Sequence, residues 1–268
     1  MTYADIVVDA TPGPVVRQTL EAACDFAEVY GGRLSVAAFA WPRASMLNEA
    51  VLGSAGGTAL QALTYDRALE ATRAIHDEIA DRLQLVTAWC SGVSDPNPML
   101  AEHLLAADLA IVGASENDHF ASVEPTLLAA RSGGPVLRVG SIFPTMPFEH
   151  ALVAWKDSRE ARRSVHEALP LLRRAKRVIV IGVGDEVGSD RLTQIADHLI
   201  QHKVAATPLH LSKSAAGVCD QILKHAAAEG CDLLVSGAYS RPRFRERIMG
   251  GVTKTLLDDA RISWFLAH

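Results

Sequence analysis

Short apolar runs rich in Ile, Val and Leu alternate with longer segments whose apolar residues recur at helical spacing, from one end of the chain to the other. Few architectures accommodate such a pattern. Strands buried on both faces read as continuous apolar runs, and a parallel pair needs a crossover long enough to hold a helix. In the first half, Tyr3 to Asp9, Leu34 to Phe39, Gln84 to Trp89, Leu109 to Val112 and Val136 to Val139 read as strands. Between them, Val15 to Tyr30 reads as a helix with Val16, Leu20, Ala23 and Ala27 inward and Gly31-Gly32 as its stop. Ala59 to Leu83, Met99 to Ala106 and Glu124 to Ser132 read as the other helices, and Pro42 to Gly57 as an irregular surface excursion.

The plan then restarts. Ser141 to Phe148, with Pro144 and Pro147, reads as a linker, followed by a strand over His150 to Trp155 and a helix over Ser158 to Arg174 with Ser158 as N-cap. Further strands are expected at Arg177 to Val183, Ala205 to Leu211, Leu233 to Val235 and Ile262 to Leu266. The intervening helices are expected at Asp190 to His202, Ala215 to Glu229 and Gly251 to Ala260. Both halves thus place strands and helices in the same order, which reads as an internal duplication. The expectation is an α/β fold of two tandem five-stranded parallel-sheet domains with helices on both faces. Their boundaries are drawn at 1–140 and 149–268, with 141–148 as the linker. In such sheets ligands bind outside the strand C-termini, where the strand order reverses.

One stretch in the second half has the chemistry for an anion there. After the apolar run Leu233 to Val235 come Gly237-Ala238-Tyr239-Ser240, an arginine-rich loop with Arg241, Arg243, Arg245 and Arg247, and Gly250-Gly251-Val252-Thr253. Glycine lets a phosphate approach unpaired backbone N–H groups, and guanidinium pairs phosphate bidentately. Turn-forming glycines beside a solvated basic loop fit the same letters equally well. Charge is divided unevenly: residues 1–148 hold 8 Lys+Arg against 17 Asp+Glu, residues 149–268 hold 18 against 14, and the net is −5. The basic excess favours a small anionic ligand in the second half over nucleic acid, which needs a broader basic face.

The residues that carry this reading resemble the universal stress proteins in their tandem form. The resemblance rests on the two-fold layout, on Ala154-Trp155-Lys156-Asp157-Ser158-Arg159-Glu160-Ala161, and on Gly237 to Ser240 with Gly250 to Thr253. It implies a five-stranded Rossmann-like fold and stress-response regulation. Many members bind ATP through Gly-x-x-Gly, nine residues, then Gly-Ser or Gly-Thr; others bind no nucleotide. Gly237 matches the first glycine and Gly250 the third, with the spacing kept. Ser240 stands where the second glycine belongs, and Gly251 where Ser or Thr belongs. The resemblance makes Ala154, Trp155 and Lys156 the adenine side, with Val183, Gly237, Ser240, Arg241, Gly250, Gly251, Val252 and Thr253 completing the site. Lys156 occupies a position where nucleotide-binding members usually carry an acid or amide, and Lys accepts no hydrogen bond.

The implied ligand is ATP or a related adenine nucleotide, with Mg only as its companion. In the first half the loop after Asp108 is five residues shorter, and Glu116, Asp118 and Glu124 surround Gly113, so that half reads as a degenerate copy without nucleotide. No catalytic machinery is evident: Ser158 is explained as a cap, and His198 and His202, at i and i+4, lack a third ligand. A nucleotide-free scaffold and a weak nucleotide hydrolase using Asp157 remain the alternatives. Cys24, Cys90, Cys219 and Cys231 show no metal spacing and read as reduced and mostly buried. No apolar run approaches a membrane span, and Met1 to Asp9 has no basic residue, so a cytoplasmic protein is expected. The two domains are expected to pair within one chain, and a homodimer is open to it as well.

Overall fold

The computed structural model describes residues 3–43, 56–83, 87–113, 119–141, 146–215, 217–238 and 261–268. The chain forms two compact units, Tyr3–Gly134 and Pro135–His268.

The first unit contains β1 (Asp5–Asp9), α1 (Val16–Tyr30), β2 (Arg33–Ala40), α2 (Gly56–Leu83), β3 (Thr87–Val93), α3 (Pro96–Leu104), β4 (Leu109–Val112) and α4 (Pro125–Ser132). Its strands are parallel, in the order β3-β2-β1-β4. β4 is buried at every residue, as a strand covered on both faces must be. α1 buries Leu20, Ala23, Phe26 and Ala27, and ends at Gly31 with φ 71°, a left-handed turn that costs glycine least. Side chains close the starts of α3 and α4. Asp95 accepts from Asn97 N at 2.9 Å ahead of α3, and Glu124 accepts from Leu127 N at 2.8 Å ahead of α4.

The second unit contains β5 (Val136–Arg138), β6 (His150–Ala154), α5 (Arg159–Glu167), α6 (Leu169–Leu172), β7 (Arg177–Val183), α7 (Ser189–Gln201), β8 (Ala206–Leu211), α8 (Val218–Ala228), β9 (Leu233–Gly237) and β10 (Ser263–Ala267). The order is β5-β10-β9-β6-β7-β8, parallel except where β5 runs antiparallel to β10. β5, read from the sequence as the last strand of the first half, thus packs as part of the second unit. The single helix expected from Ser158 to Arg174 is two: α5 ends at Glu167 and α6 begins beside Pro170, which has no N–H to continue the ladder. Ser158 is the expected cap, its Oγ accepting from Ala161 N at 3.2 Å.

The same device fixes β1 in the first unit and β6 in the second. Asp108 Oδ2 accepts from the backbone N–H groups of Ala4 and Asp5 at 2.7 and 3.0 Å. Asp232 accepts from Glu149 and His150 at 2.7 and 3.0 Å. A carboxylate just ahead of β4 and of β9 thereby satisfies donors at the start of β1 and of β6. The Arg-rich loop and the helix read over Gly251 to Ala260 lie outside the described residues, as does most of the excursion after Pro42.

Candidate functional site

In the second unit β6 lies between β9 and β7, so the chain leaves β6 toward one neighbour and returns to the other. The C-terminal ends of β6 and β9 flank that reversal, with Ala154 in register with Ser236 and Gly237 following. Gly237 is pressed against the start of α5: a Cβ on it would stand 2.6 Å from Ala161 N and 2.7 Å from the Glu160 carbonyl carbon. Glycine is therefore required here by close packing.

Five of the predicted residues lie at or just past the ends of neighbouring strands. Ala154 closes β6, Trp155 and Lys156 follow it, Val183 closes β7, and Gly237 closes β9. Ser240, Arg241, Gly250, Gly251, Val252 and Thr253 lie outside the described residues. The polar side chains at the strand ends already have partners. Lys156 Nζ is 2.9 Å from Glu186 Oε2, a carboxylate from the loop after β7. Trp155 Nε1 donates to Asp157 Oδ1 at 2.8 Å, and Arg191 Nε donates to Asp157 Oδ2 at 3.1 Å.

Glu160, in the first turn of α5, is 5% exposed beside Gly237 and pairs with Arg159 Nε at 2.5 Å. Burial pushes its carboxyl up, but bonds from Arg159, its own N–H and Ser158 outweigh that and hold it below the usual carboxylate range. Ser158 and Glu160 together occupy the positive end of α5.

The equivalent reversal in the first unit lies between β1 and β4, with Val8 in register with Ile111. A cavity of about 40 Å³ opens there, walled by Asp9, Thr11, Val15, Thr19, Gly113 and Ser122. It has room for a few water molecules, each needing roughly 10–15 Å³ of such volume. Burial raises the Asp9 carboxyl to about 6, although Thr11 opposes this by donating from its backbone N–H at 2.9 Å and its hydroxyl at 2.7 Å. An acid in that place adds to the negative surroundings read from the sequence.

No family model matches the sequence, and no curated protein sequence matches it. Solved structures do. A universal stress protein from Archaeoglobus fulgidus DSM 4304 superposes with TM-score 0.73 over 98% of this chain and 95% of that one, at 12% identity. The chain has the universal stress protein fold. A putative universal stress protein from Pseudomonas aeruginosa UCBPP-PA14 gives TM-score 0.57 at 15% identity, over 99% of this chain and 93% of that one. A functionally unknown protein from Pseudomonas aeruginosa PAO1 gives 0.58 at 15%, over 99% and 92%.

Within the universal stress protein fold, several site features have no sign in the sequence. Glu186 lies 30 positions beyond Lys156, and only the parallel β6–β7 pairing brings their loops together. Asp9 ends an apolar run and reads as a strand terminus. His198 and His202 do approach, ring centroids 4.7 Å apart, but among the described residues no group of three His, Cys, Asp or Glu could hold a metal. Of the cysteines, Cys24 and Cys219 are buried and Cys231 half-buried, whereas Cys90 is exposed, which corrects its expected burial. No helix among the described residues is long and apolar enough to cross a membrane.

Proposed function

We propose that the chain is a cytoplasmic stress-response regulator of the universal stress protein family, built from two fused copies, whose second unit binds an adenine nucleotide. The observation that carries this is that β6, ending at Ala154, and β9, ending at Gly237, lie side by side at the reversal, with Ala154 in register with Ser236. Ligands of open α/β sheets bind at such a reversal, and the motif spacing of Gly237, Ser240 and Gly250 begins there. The base would lie against Trp155 and Val183. The phosphates would take N–H donors from Gly250, Gly251 and Val252, the hydroxyl of Thr253 and the charge of Arg241, with Mg only as a companion of the nucleotide. Nucleotide occupancy biases contacts with a partner. Denaturing the purified protein and identifying what it releases by mass spectrometry tests this. An adenine nucleotide at near one per chain is expected.

A second reading is a nucleotide-free interaction module, and the Lys156–Glu186 pair favours it. Lys156 can accept nothing from an adenine or ribose, and its charge is already engaged. Protein that releases no nucleotide and gives no heat with ATP, ADP or AMP supports this second reading. Hydrolysis ranks below both, because the two carboxylate oxygens of Asp157 are taken by Trp155 and Arg191. A phosphate-release assay with Gly250→Val as control checks it.

A further inference from the structure

The two units end differently at their outer strands. β8 ends the strand order of the second unit, pairing with β7. Val178 N donates to Ala205 O at 2.9 Å and Gly184 N to Leu211 O at 2.8 Å, so odd-numbered residues of β8 turn their backbone groups toward β7. Pro208 therefore faces outward, and its missing N–H interrupts the free edge at mid-strand. Proline at that position is a standard guard against a further strand.

β3, which ends the order in the first unit, has no such guard. It reads Thr-Ala-Trp-Cys-Ser-Gly-Val, seven residues without charge or proline, and pairs with β2 along its whole length. Ser94 N donates to Ala40 O, so even-numbered residues face β2. The N–H and C=O groups of Thr87, Trp89, Ser91 and Val93 then point outward. Such a row is satisfied by another strand.

We propose that β3 is a self-association edge, pairing antiparallel with β3 of a second copy about a two-fold axis through Cys90. In the register that overlaps all seven residues, Trp89 faces Ser91 of the other copy, and Thr87 faces its Val93. Both pairs exchange two N–H···O bonds at each of their two occurrences. The flanking helix supplies matching charge. α2 runs antiparallel to β3, with Arg73 stacked 4.8 Å over the Trp89 ring and His76 Nε2 2.7 Å from Thr87 Oγ1. At about 1.5 Å per helical residue against about 3.3 Å per strand residue, the level of Cys90 falls near Ala71. Exposed Glu70 and Arg73 lie on either side of it, and Arg73 Nε also holds Asp77 of its own helix at 2.9 Å. The axis sets Glu70 of each copy against Arg73 of the other, so the edge complements itself. On the axis the two Cys90 Cα atoms would be about 4.5 Å apart, within disulfide range.

The test uses the full chain, with light scattering after size exclusion over a hundredfold range of concentration. The mass should rise from one chain to two. Ser91→Pro copies the Pro208 device at an outward position that β2 does not use. It removes two N–H···O bonds from the dimer and should weaken it by about 30-fold. Arg73→Glu should weaken it too, and Glu70→Arg with Arg73→Glu should restore it. Copper–phenanthroline should join wild-type chains into a disulfide dimer, and Cys90→Ser should block only that cross-link. Where Ser91→Pro does not fold, amide exchange of wild-type Trp89 and Ser91 decides: protection should appear at high concentration and vanish on dilution. A monomer at every concentration overturns the proposal. So does a dimer indifferent to folded Ser91→Pro, to the charge swap or to the exchange of these two amides.

Discussion

Asp9→Asn should stabilise the protein at neutral pH and do little at pH 4. The Asp9 carboxyl in the first-unit cavity is raised by burial from 3.8 to about 6. Well below pH 3.8 the group is protonated in both the folded and unfolded chain and contributes no difference. Between pH 4 and 6 the folded state holds the proton more tightly, so stability falls as pH rises through this window. Above pH 6 the full cost of a buried charge remains. A tenfold change in proton affinity is worth about 1.36 kcal/mol, so a carboxyl raised this far costs at most about 3 kcal/mol. Asparagine keeps an oxygen for the Thr11 N–H and hydroxyl but carries no charge. Urea unfolding of both proteins at pH 4, 5, 6 and 7.5 reads the difference directly. The variant should gain stability through pH 4 to 6 and then level off. A difference independent of pH, or a variant less stable at pH 7.5, would refute the claim that desolvation dominates at Asp9.

Three further outcomes are expected. Gly237→Ala places a Cβ 2.6 Å from Ala161 N, against backbone that cannot yield, and should cost about 1–3 kcal/mol in urea unfolding. Asp232→Ala leaves the N–H groups of Glu149 and His150 without their acceptor and should cost about 1–3 kcal/mol by the same assay, with Asp108→Ala its counterpart in the first unit. Lys156→Asn replaces a pure donor with a side chain that also accepts. It should tighten adenosine nucleotide binding in calorimetry by about tenfold, equivalent to one added hydrogen bond; unchanged or weaker binding would count against Lys156 lying on the adenine side.

Much of the fold is legible in the sequence because its signals are local. Buried strands such as Leu109–Val112 and Arg177–Val183 announce themselves as apolar runs, and Gly31 and Ser158 mark helix ends through chemistry that acts within a few residues. The apolar pattern suggests Gln84 to Trp89 for β3, which occupies Thr87–Val93, because an edge strand is half-exposed and its apolar pattern is weak. The antiparallel direction of β5 has no local sign: Val136, Leu137 and Arg138 would read the same in either sense. At the candidate site, Gly237 and the strand ends beside it are legible from the apolar runs that precede them. The engagement of Lys156 by Glu186, and of Asp157 by Arg191, is not, since each pair joins residues brought together only by strand order. Glu160 reads as part of a family motif, whereas its burial against Gly237 follows from the packing of α5 on β9.

The ligand assignment in the second unit is tested most directly by isothermal titration of nucleotide-free full-length protein with ATP, alongside Gly250→Val. The predicted result is one ATP per chain, with binding lost in the variant while its unfolding curve is unchanged. Absence of binding by ATP, ADP and AMP to the wild-type protein would contradict it.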